Sequence, residues 1–254
     1  MNLLFAVIGA ISLLPGVALA QAQPQISCEV PDSFLSSEYA LDRVSAAVRN
    51  KHKLNVIVVG SASSALAAPQ GTAISYPARL QETLRRRLPG VDIKVTSRAK
   101  PRQTARDMAK AFEQILRDDA PALVIWQTGT VDAIRGVPRE EFRTTLELGI
   151  QKLHSGGADV VLMNSQFSPR TETMIAIEPY ISNMLWASQE RGAPLFDRFA
   201  IMSHWSDDGT FDFYGRRRDL TLARQVHACI GNALAGLIIK AADLEPLEAE
   251  VGKK

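Results

Sequence analysis

The chain has 254 residues, 46% hydrophobic and 22% charged, which fits a folded globular protein and excludes a disordered or fibrous one. Its formal net charge of +2 is too small for the electrostatic footprint of a nucleic-acid binder. The arginine clusters at 85–87 and 216–218 read as a solvated helix end and a loop.

Residues 1–20 read as an export signal, with an apolar run at 3–17 and a small-x-small cleavage site at Ala18-Leu19-Ala20. The alternative is an uncleaved anchor, because no Lys or Arg precedes the run. The run is short for a membrane span, and no later run is expected to cross a bilayer. The mature protein is therefore expected to be soluble and periplasmic or secreted. An N-terminal arm at 21–36 carries Cys28, and a domain at 37–242 carries Cys229. In an oxidising compartment the two cysteines can pair and pin the arm to the last helix. The alternatives are two free thiols, with Cys229 a small core residue, or a metal site shared with His227. No second His or Cys stands at ligand spacing, so no metal or cofactor is expected. A polar tail follows at 243–254.

Within the domain, apolar β-branched runs alternate with segments of helical spacing. The expected strands are 54–60, 91–96, 122–127, 159–163 and a short 194–196. The expected helices are 37–50, 76–88, 103–117, 139–153, 173–189 and 220–241, and 204–219 is expected as a loop. The alternation predicts an α/β protein, a three-layer α/β/α sandwich around a doubly wound, five-stranded parallel sheet. Ligands bind beyond the carboxyl ends of the strands in such sheets. That rule selects the loops at 61–64, 97–104, 128–132 and 164–170.

Those loops carry a pattern. The segment Val58-Val-Gly-Ser-Ala-Ser-Ser64 resembles a nucleophile block, and Leu123-Val-Ile-Trp-Gln-Thr-Gly-Thr-Val-Asp132 resembles a Gly-x-Asn-Asp block. With Ser75-Tyr-Pro-Ala-Arg-Leu80, Pro194-Leu-Phe196 and Arg198-Phe-Ala-Ile-Met202, they make most of the mature chain similar to an exported bacterial branch of the SGNH/GDSL hydrolases. The resemblance implies a flavodoxin-like sheet and a serine-hydrolase mechanism acting on carboxylic esters: a serine nucleophile, a histidine oriented by an aspartate, and an oxyanion hole.

Matched residue by residue, however, the chain departs from that mechanism. The serine position falls on Ala62. The oxyanion glycine falls on Arg102, beside Pro101, which has no N–H. The oxyanion asparagine falls on Val131, whose side chain has no donor. In the last block the aspartate falls on Arg218 and the histidine on Thr221, and no Asp-x-x-His occurs in the chain. The catalytic positions are therefore expected to be degenerate. Ser61, Ser63 and Ser64 are expected to cap the next helix or satisfy turn amides. The fallback is a relocated esterase or acyl transferase using Ser61 or Ser63 with His204, oriented by Asp207 or Asp208. The main expectation is an exported protein that binds a small-molecule or envelope-polymer ligand, anionic, carbohydrate or lipid, through Lys100, Arg102, Gly129 and Asp132. A purely structural envelope protein with a filled cleft is the third possibility. A protein partner is not specified by the sequence.

Overall fold

The computed structural model describes residues 27–66, 70–215, 220–245 and 247. The signal segment, Arg216 to Arg218 and most of the tail lie outside the described residues. Five strands form one parallel sheet: β1 (Lys53–Val59), β2 (Asp92–Ser97), β3 (Leu123–Gln127), β4 (Asp159–Met163) and β5 (Leu195–Phe196). Their order is β2-β1-β3-β4-β5. The helices in chain order are α1 (Asp42–Lys51), α2 (Ala62–Ala65), α3 (Gly71–Ile74), α4 (Tyr76–Arg87), α5 (Ala105–Ala109), α6 (Phe112–Asp119), α7 (Thr130–Ile134), α8 (Arg139–Ser155), α9 (Pro169–Glu172), α10 (Glu178–Arg191), α11 (Arg198–Asp207) and α12 (Leu220–Ala241).

The continuous apolar strands are explained by burial on both faces. Leu123 and Ile125 of β3 enter one core with α1, α4, α11 and α12. Val124 and Trp126 enter the other with α5, α6, α8 and α10. This is the predicted α/β/α arrangement. Because β1 pairs with β2 on one side and β3 on the other, the chain reverses winding there. The carboxyl ends of β1 and β3 thus flank the crevice where such folds hold ligands.

Three helix expectations need correction. The segment 103–117 is two helices, α5 and α6, with a tight turn between them closed by Ala111 N–H on the Met108 carbonyl at 3.0 Å. The helix expected at 173–189 is α10, which starts later, where Pro179 fits the first turn. The expected loop from 204 begins as helix: Asp197 caps α11 by accepting from Ala200 N–H at 2.9 Å. Helix α12 also corrects the membrane expectation. It is long and apolar enough by composition to cross a bilayer, but 67% of its apolar window is buried in the protein.

The α12–α4 contact is set by Gly231. A Cβ there would stand 2.6 Å from Arg79 Cβ and 2.8 Å from the Leu80 backbone nitrogen. Backbone cannot yield as a side-chain tip can, so a methyl must push the helices apart. Gly231→Ala is expected to lower stability by about 1–3 kcal/mol, despite a helix-propensity gain of about 1 kcal/mol. Urea denaturation checks this; an unchanged or higher midpoint would count against the close approach.

Candidate functional site

The first side of the crevice is the turn after β1. Gly60 permits it, because a Cβ would stand 2.4 Å from Ser64 Oγ. The three serines that follow converge on one acceptor. Gln127 Oε1, at the end of β3, receives Ser61 N–H at 3.1 Å and lies 3.2, 3.3 and 3.0 Å from the hydroxyls of Ser61, Ser63 and Ser64. A carbonyl oxygen has two lone pairs, so these donors share it, and the buried Gln127 Nε2 has no partner. Ser61 makes no side-chain capping bond to α2, which corrects the expectation that it caps that helix. The hydroxyls instead hold the turn to β3.

Behind this turn lies a buried polar cluster. Ser64 Oγ is 2.9 Å from Tyr76 OH, and Tyr76 N–H donates to His227 Nδ1 at 2.9 Å. The guanidinium of Arg198 lies 5.8 Å from the Tyr76 ring centre. It donates to Ser63 Oγ at 3.3 Å and to Gln166 Oε1 at 3.2 Å, and its buried Nε has no partner. Arg198 is only 1% exposed, and among the described residues no carboxylate pairs with it. Burial pushes its pKa down to about 10, which leaves it charged at neutral pH. Burial likewise pushes the Tyr76 phenol up to about 12. Asn164 and Asp197 position this arginine: Asn164 Nδ2 donates to Asp197 Oδ1 at 2.7 Å, and Phe199 N–H donates to Asn164 Oδ1 at 2.9 Å.

The second side is the β2 loop. Arg102 has φ 63°, a left-handed conformation that favours glycine and strains other residues by about 1 kcal/mol or more. The position keeps a glycine-like backbone while carrying an arginine side chain. The third side is the β3 loop. Gly129 turns at φ 98°, and Val131 sits half-buried in α7.

A cavity of about 530 Å³ joins the three sides, lined by Ser61, Ala62, Ser63, Pro101, Arg102, Thr130, Val131, Ile134, Arg135, Gln166 and Thr171. That volume lies in the range of small-molecule sites, roughly 300–1,000 Å³. Ala62, Arg102 and Val131 therefore meet in one open cleft. Thr221 does not line it, and Arg218 lies outside the described residues.

Several expected site residues stand elsewhere. Lys100 lines a neighbouring cavity with Arg98, Gln103 and Asp119. Asp132 turns inward: its carboxylate accepts Ala105 N–H at 3.0 Å, Gly129 N–H at 3.3 Å and Thr128 Oγ1–H at 3.2 Å. It ties α5 to the β3 turn, and burial raises its pKa. Gly129 supplies backbone geometry only, because its missing side chain faces Met184 and Phe142. None of the four histidines lines the cavity. His204 is helical, its Nε2 3.6 Å from Oδ2 of Asp208, which caps the carboxyl end of α11, and its ring 6.0 Å from Phe34. A disulfide joins Cys28 to Cys229 with Cα atoms 5.1 Å apart, which removes Cys229 as a metal ligand beside His227.

Gln127, Gln166 and Arg198 were missed by sequence reasoning. Gln127 did leave a signal, as a polar end on an otherwise apolar strand.

Comparisons with known proteins fit this geometry. TesA shares the fold with a TM-score of 0.57 at 22% identity, over 72% of this chain and 99% of that one. LAE5, a hydrolase from the metagenome of Lake Arreo, Spain, gives 0.59 at 18% identity, over 75% and 95%. A catalytic variant of Axe2, an acetylxylan esterase from Geobacillus stearothermophilus, gives 0.58 at 13% identity, over 74% and 94%. No curated protein matches the chain. The model of the Non-GDSL lipase-like family matches residues 27–244. The match covers nearly all of the described residues and the fold is shared with these solved structures, so the chain belongs to the Non-GDSL lipase-like family.

Proposed function

We propose that this protein is an exported, non-hydrolytic member of its family that binds an anionic envelope ligand, carbohydrate or lipid, in the crevice that serves ester hydrolysis in its relatives. The observation that carries the reading is the lining of the cavity. It presents a methyl at Ala62, an isopropyl group at Val131 and a cation at Arg102. No histidine lines it, so among the described residues no histidine base faces Ser61 or Ser63. Losing one oxyanion donor costs about 10²–10³ in turnover, and triad members act as a unit. Arg102 has no ion-pair partner among the described residues, which favours an anion at the mouth. The disulfide supports export, since such bonds persist in oxidising compartments.

The test is p-nitrophenyl acetate turnover by purified mature protein. Turnover indistinguishable from that of the heat-denatured sample is expected. Val131→Asn restores one donor and is expected to restore no activity, because the base is still absent. Hydrolysis abolished by Ser61→Ala or Ser63→Ala would overturn the proposal in favour of a relocated esterase.

A further inference from the structure

We infer that the cavity holds a single-chain amphiphile whose oxyanion head, carboxylate or phosphate monoester, is read by Arg198. This rests on the cavity being a binding site, and it names the ligand class. Arg198 is a buried cation whose hydrogen-bond partners among the described residues are the neutral Ser63 Oγ and Gln166 Oε1, with Nε unpartnered. A buried charge is normally compensated. Here both partners line the cavity, so the space beyond them has room for the counter-charge that the described residues do not supply. Gln166 is half-buried. Turning its amide aside exchanges a neutral carbonyl for an oxyanion on the guanidinium, a charge-assisted and bidentate contact.

The rest of the lining selects the body of the ligand. Ala62, Pro101, Val131 and Ile134 give an apolar wall, and Ile134 is 61% exposed at the mouth. An aliphatic side chain held so open gains by covering with an alkyl chain. Arg135 adds no free charge, because it bonds the Arg102 carbonyl at 2.8 Å and lies 3.6 Å from Asp107 Oδ2. The site therefore pairs a deep cation, Arg198, with an apolar wall and a second cation, Arg102, at the mouth, which suits an acyl or alkyl chain whose anionic end reaches Arg198.

Thermal-shift and calorimetric titrations of the full mature chain with octanoate, octyl phosphate, 1-octanol and inorganic phosphate test this. Saturable binding of octanoate, octyl phosphate or both is expected, and whichever is tighter identifies the head. Arg198→Met is expected to weaken that binding about 30-fold or more. It is also expected to raise the melting temperature of the unliganded protein, since a lone buried charge gives way to an apolar side chain of similar length. Gln166→Glu places a carboxylate on the guanidinium from within, and is expected to abolish octanoate binding even if Arg198→Met does not fold. Binding of 1-octanol or inorganic phosphate as tight as that of the amphiphilic anions would overturn the inference. So would no binding of either anion, or unchanged binding by Arg198→Met or Gln166→Glu. Those results leave the hydrolysis assay untouched. Conversely, p-nitrophenyl acetate turnover would sink the non-hydrolytic reading without moving the Arg198 dependence.

Discussion

Removing the Cys28–Cys229 bridge, as the double serine variant, is expected to lower the unfolding free energy by about 4–5 kcal/mol. The bonded residues are 201 apart in sequence, so the bridge closes a loop around almost the whole domain. Closure entropy grows with the logarithm of loop length, which places this bridge near the top of its usual range. The bridge also ends in a buried position, Cys229 in α12. Without it, the described part of the arm is still held by packing of Val30, Phe34 and Leu35 against the core, and by two weaker polar ties, Trp205 Nε1–H to the Glu29 carbonyl at 3.1 Å and Lys240 to Asp32 at 2.9 Å. The second is an exposed ion pair, and such pairs contribute at most about 1 kcal/mol. Urea denaturation of oxidised wild type against the double variant measures the difference. At this chain length a loss of that size corresponds to a melting-temperature drop of roughly 10–20 °C. A loss below about 1 kcal/mol would mean that the denatured chain is already compact enough to hold its ends together.

The sheet was legible in the sequence because strands covered on both faces must be apolar throughout. Runs such as Leu123-Val-Ile-Trp have no other good use in a chain of this composition, and the strand expected at 159–163 is β4 as observed. The helix ends were less legible. Whether Asp197 caps a helix depends on which way the chain leaves β5, and that is a tertiary fact. The site divides along the same line. Ala62, Arg102 and Val131 were locatable because each follows a strand with a recognisable pattern, and one cavity now holds all three. Arg198 was invisible as a site residue. In sequence it is an arginine two residues after a short strand, and nothing local tells that Asn164 and Asp197 turn it beneath the serine turn. Asp132 misled in the opposite direction. An acidic residue in a ligand loop reads as a ligand group, yet three donors in its surroundings claim the carboxylate.

The Arg198 cluster also makes His227 a source of acid sensitivity. Its Nδ1 accepts Tyr76 N–H at 2.9 Å, so the neutral ring carries its proton on Nε2. Protonating Nδ1 would break that bond, strand a cation in the core and set it against the Arg198 charge. Burial first, and Arg198 second, push the His227 pKa down to about 3, against about 6.5 in the unfolded chain. The folded value is the lower one, so between those pH values the unfolded chain binds the extra proton. The stability tied to the neutral ring is fully present above pH 6.5 and is lost as pH falls toward 3. Linkage gives a loss of about 1 kcal/mol between pH 6.5 and 5.5, on the order of 4 kcal/mol in all. Burial raises the pKa values of Asp132 and Asp159, which slopes stability the opposite way. His154, whose pKa burial and then Arg43 also push down, adds a slope of the same sign, and His227 carries the larger shift of the two. His227→Asn offers an amide oxygen to Tyr76 N–H and has no proton to take up. Urea midpoints at pH 7.5, 6.5 and 5.5 are expected to fall for wild type and to fall less steeply for the variant, which keeps only the His154 contribution. Equal slopes would show that this histidine charges freely in the folded protein. A histidine that stays neutral to such low pH, with one nitrogen spent on a backbone amide, holds α4 to α12 and is a poor proton acceptor at neutral pH.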